Sequence, residues 1–141
     1  MGATMDIMDK VLERTKRFEG FSSKPYQCSA GEWTIGYGHL IKNGLSRAAA
    51  ELILQEDLKT ATKAANAYTW FSKLNPARQA VVIDMLYNIG PARFAGFKKM
   101  RAAIERGDFE TATKEMLDSK YAKQVVKRAA ENARMLKTGE W

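Results

Sequence analysis

The stretch from residue 75 to residue 89 constrains the fold more than any other part of the chain. Asn75-Pro76 reads as a helix cap followed by proline at the first helical position, where a missing N–H costs nothing. The helix it opens carries Ala80, Val81, Val82, Ile83, Met85, Leu86 and Ile89, and is apolar nearly all round. A helix without a polar face belongs in the middle of a bundle. The rest of the chain must therefore supply the helices that surround it. At 141 residues it is long enough to do so within one domain.

Those helices are legible. Between residues 6 and 18, Met8, Val11, Leu12, Thr15 and Phe18 recur at helical spacing, and Gly20 is a plausible stop. Ser46 suits the N-cap of a helix running to about residue 67. Gly107-Asp108 ends one short helix and caps the next, and a basic helix over about 121–136 closes the chain. Residues 24–44 have a different texture. Gly31, Gly36, Gly38 and Gly44 punctuate aromatic and β-branched residues, which predicts short strands and turns. The pattern is α+β: a β lobe over about 20–45, and a helical lobe over about 68–141 that also takes in the N-terminal helix. We expect a single domain spanning 1–141.

Composition removes several functional classes. Hydrophobic residues make up 45% and charged residues 28%, so the chain is not of the disordered kind. No window of about eighteen uncharged apolar residues exists to span a bilayer. The first ten residues contain neither an apolar core nor a small-residue cleavage site, so we expect no secretory signal and a cytoplasmic protein. Met1-Gly2 invites a myristoylation reading, but Asp6 stands where Ser or Thr is required. A single cysteine, Cys28, excludes an internal disulfide, and with one histidine it makes a zinc site implausible; no metal or cofactor is expected. The net charge of +7 draws the protein to polyanions: nucleic acid, anionic lipid, or the acidic polymers of a bacterial envelope. Charge alone does not choose among them.

Two places stand out chemically. Glu19 lies four residues after Thr15 and seven after Leu12, on the stripe expected to face the core, between Phe18 and Phe21. Partial burial and the helix C-terminus would both push its carboxyl pKa upward, the condition a general acid needs. Taken alone, the position fits a surface glutamate on a frayed last turn better, because buried acids are rare. The second place is Trp33-Thr34-Ile35-Gly36-Tyr37-Gly38-His39. As one strand, it turns Trp33, Ile35, Tyr37 and His39 one way and leaves Thr34, Gly36 and Gly38 as a bare trough on the other. A trough suits a flat, hydroxyl-rich sugar, and a tight turn or bulge explains the same glycines equally well. Cys28 alone reads as a structural thiol, although its loop setting weakens that default, and His39 as a fixed structural partner.

Together these residues resemble the phage-type lysozymes, glycoside hydrolase family 24. That family's signature is a Glu, eight residues, an Asp or Cys, five residues, then a Thr, and Glu19, Cys28 and Thr34 stand at those spacings. The setting matches too: Glu19-Gly20, Tyr26, then Thr34-Ile35-Gly36-Tyr37-Gly38-His39-Leu40. The likeness continues through 82–90, Ala95-Gly96-Phe97 and Lys137-Thr138-Gly139-Glu140-Trp141, and so covers nearly the whole chain. It overrides the surface reading of Glu19.

The resemblance implies a lysozyme-like fold with a cleft between its lobes for the peptidoglycan strand of alternating N-acetylmuramic acid and N-acetylglucosamine. It makes Glu19 the acid for the β-1,4 bond. Thr34 and Cys28 would orient the attacking water, with inversion of configuration. It implies that Gly38, Leu40, Tyr87 and Asn88 contact substrate, Tyr87 standing where the family commonly has Phe. Arg128 matches a basic residue placed near the catalytic Glu, and His39 is expected to pair with Asp57. Cys28 replaces the commoner Asp. At its ordinary pKa of about 8.5 it would be a mostly neutral thiol and a weak base, orienting water rather than forming a covalent intermediate. The short stretch from His39 to Asp57 implies a reduced β lobe. The implied enzyme is a monomer that lyses a host cell, reaching the wall after a separate membrane lesion.

Three other functions compete. A lytic transglycosylase uses one Glu on the same polymer but forms an anhydro sugar. A noncatalytic wall-binding module would keep the shape, against which the intact Glu19 and Thr34 argue. A basic membrane- or nucleic-acid-binding protein would act through Lys120, Lys123, Lys127, Arg128, Arg134 and Lys137, but such runs are usually a solvated face and no nucleic-acid motif accompanies them. Nonspecific contact with anionic envelopes is expected at most as a secondary activity.

Overall fold

A computed structural model describes residues 6–141. Residues 1–5, and with them the myristoylation reading of Met1-Gly2, lie outside the described residues. The chain divides into two compact units, one ending at Ala50 and the other running from Glu51 to Trp141.

The first unit holds a helix and a small sheet. Helix α1 spans Ile7–Glu19, with the Asp6 carboxylate accepting from the Asp9 N–H at its start. Gly20 stops it at φ 67°, and its N–H bonds back to the Lys16 carbonyl. Strands β1 (Ser22–Gln27), β2 (Trp33–Gly36) and β3 (His39–Leu40) form an antiparallel sheet in the order β1-β2-β3. Tyr26 pairs with Thr34, and Thr34 in turn with Leu40. The β1 register is irregular between Ser22 and Tyr26, around Pro25, which has no N–H to give a ladder.

Two expectations change here. Residues 33–39 are not one strand: β2 stops at Gly36, and Tyr37-Gly38 turns the chain into β3. Gly36 and Gly38 adopt φ of 70° and 81°, the left-handed values a tight hairpin demands, so the turn explains the glycines and there is no continuous trough. Nor does α1 bury its stripe within its own unit. None of its residues is buried, and Met8 and Phe18 are 71% and 74% exposed. Strands of six, four and two residues offer too little surface to cover it within its own unit.

Helix α2 (Arg47–Asn66) starts on the Ser46 hydroxyl, which accepts from the Ala49 N–H. It leads into the second unit, where Ala61 and Ala65 join the core. The apolar segment forms α3 (Pro76–Ala95), capped by the Asn75 side chain on the Arg78 N–H, as its sequence implies. Val81, Val82, Met85 and Leu86 are all but sealed from solvent. Alanines at 112, 129 and 133, on α5 (Phe109–Leu117) and α7 (Val126–Thr138), belong to the same core; small side chains like these let helices approach closely. Helix α4 (Lys98–Glu105) precedes α5, and Asp108 caps α5 through the Thr111 N–H. Arg78 donates to the Leu136 and Lys137 carbonyls, satisfying the open end of α7.

Two breaks went unforeseen. Helix α3 is interrupted at Gly90 (φ 84°), where Pro91 follows and forbids a continuous ladder. The basic closing helix is two helices, α6 (Lys120–Gln124) and α7, broken at Val125. Val125 packs against the core, and two consecutive β-branched residues tolerate a break there better than continuous helix. No helix among the described residues is long and apolar enough to cross a membrane.

Candidate active site

In the first unit, the α1 terminus, the β1–β2 turn and strand β2 carry the signature residues Glu19, Cys28 and Thr34. Glu19 is the last residue of α1. The expected burial is absent: Glu19, Phe18 and Phe21 are all exposed in their unit, because the helix that carries them is uncovered. What holds the carboxylate is instead the hairpin. A methyl group built on Gly38 would lie 2.5 Å from Oε2 of Glu19 and 2.7 Å from its Cδ, so the two residues pack in direct contact. The adjoining turn residue is fixed to the same region. The Tyr37 ring packs on Phe21, with centroids 5.4 Å apart, and Lys16 Nζ lies 5.6 Å from the Tyr37 ring centre. Glu19, Gly20, Phe21, Ser22 and Tyr26 line a pocket of about 290 Å³.

Cys28 follows β1 in a tight turn. Its N–H donates to the Glu32 carbonyl at 2.9 Å, and its carbonyl accepts from the Gly31 N–H at 2.8 Å. The thiol is half-buried rather than sealed in a core. Backbone N–H groups of Ala30 and Glu32, and after them the Thr34 hydroxyl, pull its pKa below the ordinary thiol value against a smaller upward push from burial. The shift is downward from the ordinary thiol value assumed above. The turn stabilises the thiolate, as backbone donors do for any anion they converge on.

Thr34 is the central residue of the arrangement. On the middle strand it is 2% exposed, and its hydroxyl donates to the Glu32 carbonyl at 3.0 Å. A hydroxyl has one proton, so donation to the Glu32 carbonyl and to the Cys28 thiolate are alternatives. Leu40 is paired with Thr34 across the β2–β3 ladder and is half-buried. His39 Nε2 lies 2.8 Å from the Gly44 carbonyl and so donates to it. That bond ties the hairpin to the next loop, and it gives His39 a partner that the resemblance did not supply.

The remaining predicted residues lie in the second unit. Tyr87, 41% exposed, lines a surface pocket of about 280 Å³ with Asp57, Thr60, Leu86 and Gly90. Asn88 follows on α3, half-buried. Arg128 on α7 is held by Asp84: its Nε and Nη2 donate to the two carboxylate oxygens at 2.9 and 2.6 Å. The same guanidinium sits 5.9 Å from the Tyr87 ring centre. Asn132 donates to Asp84 and to the Tyr121 hydroxyl, completing a four-residue network. Burial pushes the Asp84 carboxyl up, but the Arg128 and Asn132 hydrogen bonds outweigh it and the net shift is downward. Sequence reasoning missed Asp84. Its signal was present as a lone charge inside the apolar run from Val81 to Leu86.

A larger pocket of about 560 Å³ in this unit, lined by Arg93, Lys98, Lys99, Lys120 and Tyr121 among others, contains none of the predicted site residues. No cluster of three or more metal-ligating side chains occurs among the described residues.

The mostly helical α+β build with its small sheet agrees with a direct comparison. Residues 16–135 match the phage lysozyme family. The chain belongs to that family. It is 32% identical to an endolysin of Acyrthosiphon pisum secondary endosymbiont phage 1 over 128 residues, covering 88% of this chain and 86% of that protein. A probable T4-type lysozyme 1 of Dictyostelium discoideum is 26% identical over 164 aligned positions, covering 94% and 96%. As a phage lysozyme, the protein is a hydrolase that lyses bacterial cell walls.

Proposed function

We propose that the enzyme hydrolyses the β-1,4 bond between N-acetylmuramic acid and N-acetylglucosamine in peptidoglycan, with inversion of configuration and Glu19 as general acid. The observation that carries this reading is the Glu19 carboxylate packed on the Gly38 turn of the hairpin whose central strand bears Thr34. Glu19 gives its proton to the glycosidic oxygen as the bond breaks, and positive charge develops on the sugar ring. A water attacks from the opposite face, its lone pair aimed by hydrogen bonds to the Thr34 hydroxyl and the Cys28 sulfur.

The backbone donors that lower the Cys28 pKa favour a hydrogen-bond-accepting sulfur, which suits it to orient the water where the usual Asp would stand. No sulfur–carbon bond is needed. Gly38, Leu40, Tyr87 and Asn88 are assigned to sugar contacts. Arg128 enters as a supporting cation whose charge Asp84 already balances. The protein acts as a monomer.

Digestion of purified peptidoglycan tests the scheme. New sugar ends should carry one added water, and NMR of a soluble glycan during turnover should show the α-anomer first. Anhydro ends would make the enzyme a transglycosylase, and a first-formed β-anomer would establish retention. A sugar–thioether adduct on Cys28 would replace the water-orienting role with a covalent one.

A further inference from the structure

Among the positive-φ glycines, two are close neighbours on the hairpin and differ in one respect. Gly36 (φ 70°) and Gly38 (φ 81°) both need left-handed backbone, and a side chain at either is strained. Around Gly36 nothing lies within 4 Å of where a Cβ would stand. At Gly38 the same position falls on the Glu19 carboxyl group, nearer than any real contact allows. The turn geometry therefore explains glycine at 36 by itself. At 38 it explains only half.

We propose that Gly38 is a positioning residue for the catalytic acid: its missing side chain sets where the Glu19 carboxyl rests, a role additional to any backbone contact with the sugar. The inference rests on the reading of Glu19 as the acid. The neighbouring contacts fit the role. Phe21 and Lys16 hold the Tyr37 ring, so the turn backbone at 37–38 is a fixed wall against which an otherwise exposed carboxylate can be placed. Glu19 is the flexible partner, being the end of a solvent-exposed side chain. A methyl group at 38 is accommodated by moving the carboxyl, at little cost in stability beyond the turn strain. The carboxyl then no longer occupies the place from which it protonates the glycosidic oxygen, and a misplacement of about 1 Å can cost roughly 10²-fold in rate.

The experiment compares Gly38→Ala with Gly36→Ala, which carries the backbone strain without the contact, and with Glu19→Gln. Turnover of soluble glycan fragments is measured together with thermal unfolding and the ¹³C carboxyl signal of Glu19. The expected result is similar Tm losses for the two alanine variants. Only Gly38→Ala should shift the Glu19 carbon signal and drop kcat about 10²-fold below Gly36→Ala, with KM little changed. Equal kcat in the two alanine variants overturns the proposal, as does an unmoved Glu19 signal in Gly38→Ala. Wild-type activity in Glu19→Gln would instead remove Glu19 as the acid. The carbon signal still reports whether Gly38 places that carboxyl, so the two failures are distinguishable.

Discussion

The two units of this lysozyme use their residues in opposite ways. The second buries Val81, Val82, Met85, Leu86, Phe94 and Leu136 almost completely, and its principal polar device, Asp84–Arg128–Asn132–Tyr121, is fully hydrogen-bonded. Among the described residues of the first, one side chain is buried to that degree, Thr34, and Glu19 and Cys28 lie against turns, backbone donors and one glycine contact. Stability and chemistry are thus carried by different means. Side chains packed at interior density resist change, whereas a carboxylate resting on a turn leaves no room there for a methyl group.

The contrast breaks if a signature residue proves structural. Glu19→Gln should lower wall-lytic activity by about 10²–10⁴-fold, the usual contribution of a general acid, and leave Tm within a degree or two. Turbidity clearing alongside calorimetry checks both. A large Tm loss would mean that Glu19 supports the fold after all. The mirror experiment is Phe94→Ala, which empties a site with no solvent exposure and an edge contact to Tyr68. It should cost about 3–5 kcal/mol while leaving turnover per folded molecule near wild type at low temperature.

Asp84→Asn sharpens the comparison, because it asks whether the polar network belongs to stability. The folded Asp84 carboxyl is held below its ordinary value, so its contribution is present above the unfolded pKa of about 3.9 and is lost as pH falls through the folded one. The variant should be less stable by about 1–2 kcal/mol at pH 7, a hydrogen-bonded ion pair discounted for its partial exposure. Unfolding curves taken from pH 7 down to pH 2 should converge for variant and wild type. A difference that persists undiminished at the acid end would remove ionisation as the cause.

How far the sequence disclosed this follows from the same contrast. The helical unit announced itself, since apolar periodicity and the caps at Asn75, Asp108 and Ser46 are local signals that packing then reinforces. Its breaks did not. Gly90-Pro91 carried its warning in plain letters, but the run of apolar residues around it argued for continuity, and the break at Val125 depends on what that side chain packs against. In the sheet, alternation from Trp33 to His39 imitated a single strand because a two-residue turn preserves the spacing. The signature spacing singled out Glu19, Cys28 and Thr34 as candidates. Why Glu19 sits where it does was hidden, since a contact between residues 19 and 38 has no trace in either residue's neighbours along the chain.

The smallest expected effect concerns the thiol, where the first unit comes nearest to behaving like the second. If backbone donors hold the thiolate, iodoacetamide should alkylate Cys28 with a midpoint below the ordinary thiol pKa in the folded enzyme, rising to the ordinary value in denaturant. Thr34→Val removes the hydroxyl, which ranks behind the Ala30 and Glu32 N–H groups, so the midpoint should rise only slightly. The same substitution also removes the hydroxyl's bond to the Glu32 carbonyl, which keeps the Cys28 N–H, so the predicted loss is that of one ordinary hydrogen bond, about 0.5–1.5 kcal/mol. A large upward shift of the midpoint with unchanged stability would reverse the ranking: Thr34 would then give its proton chiefly to sulfur, and the Glu32 carbonyl would be the minor partner. A slight shift with reduced stability means that the hydroxyl is spent on the turn, and that the turn, through its two N–H groups, is what lowers the thiol pKa.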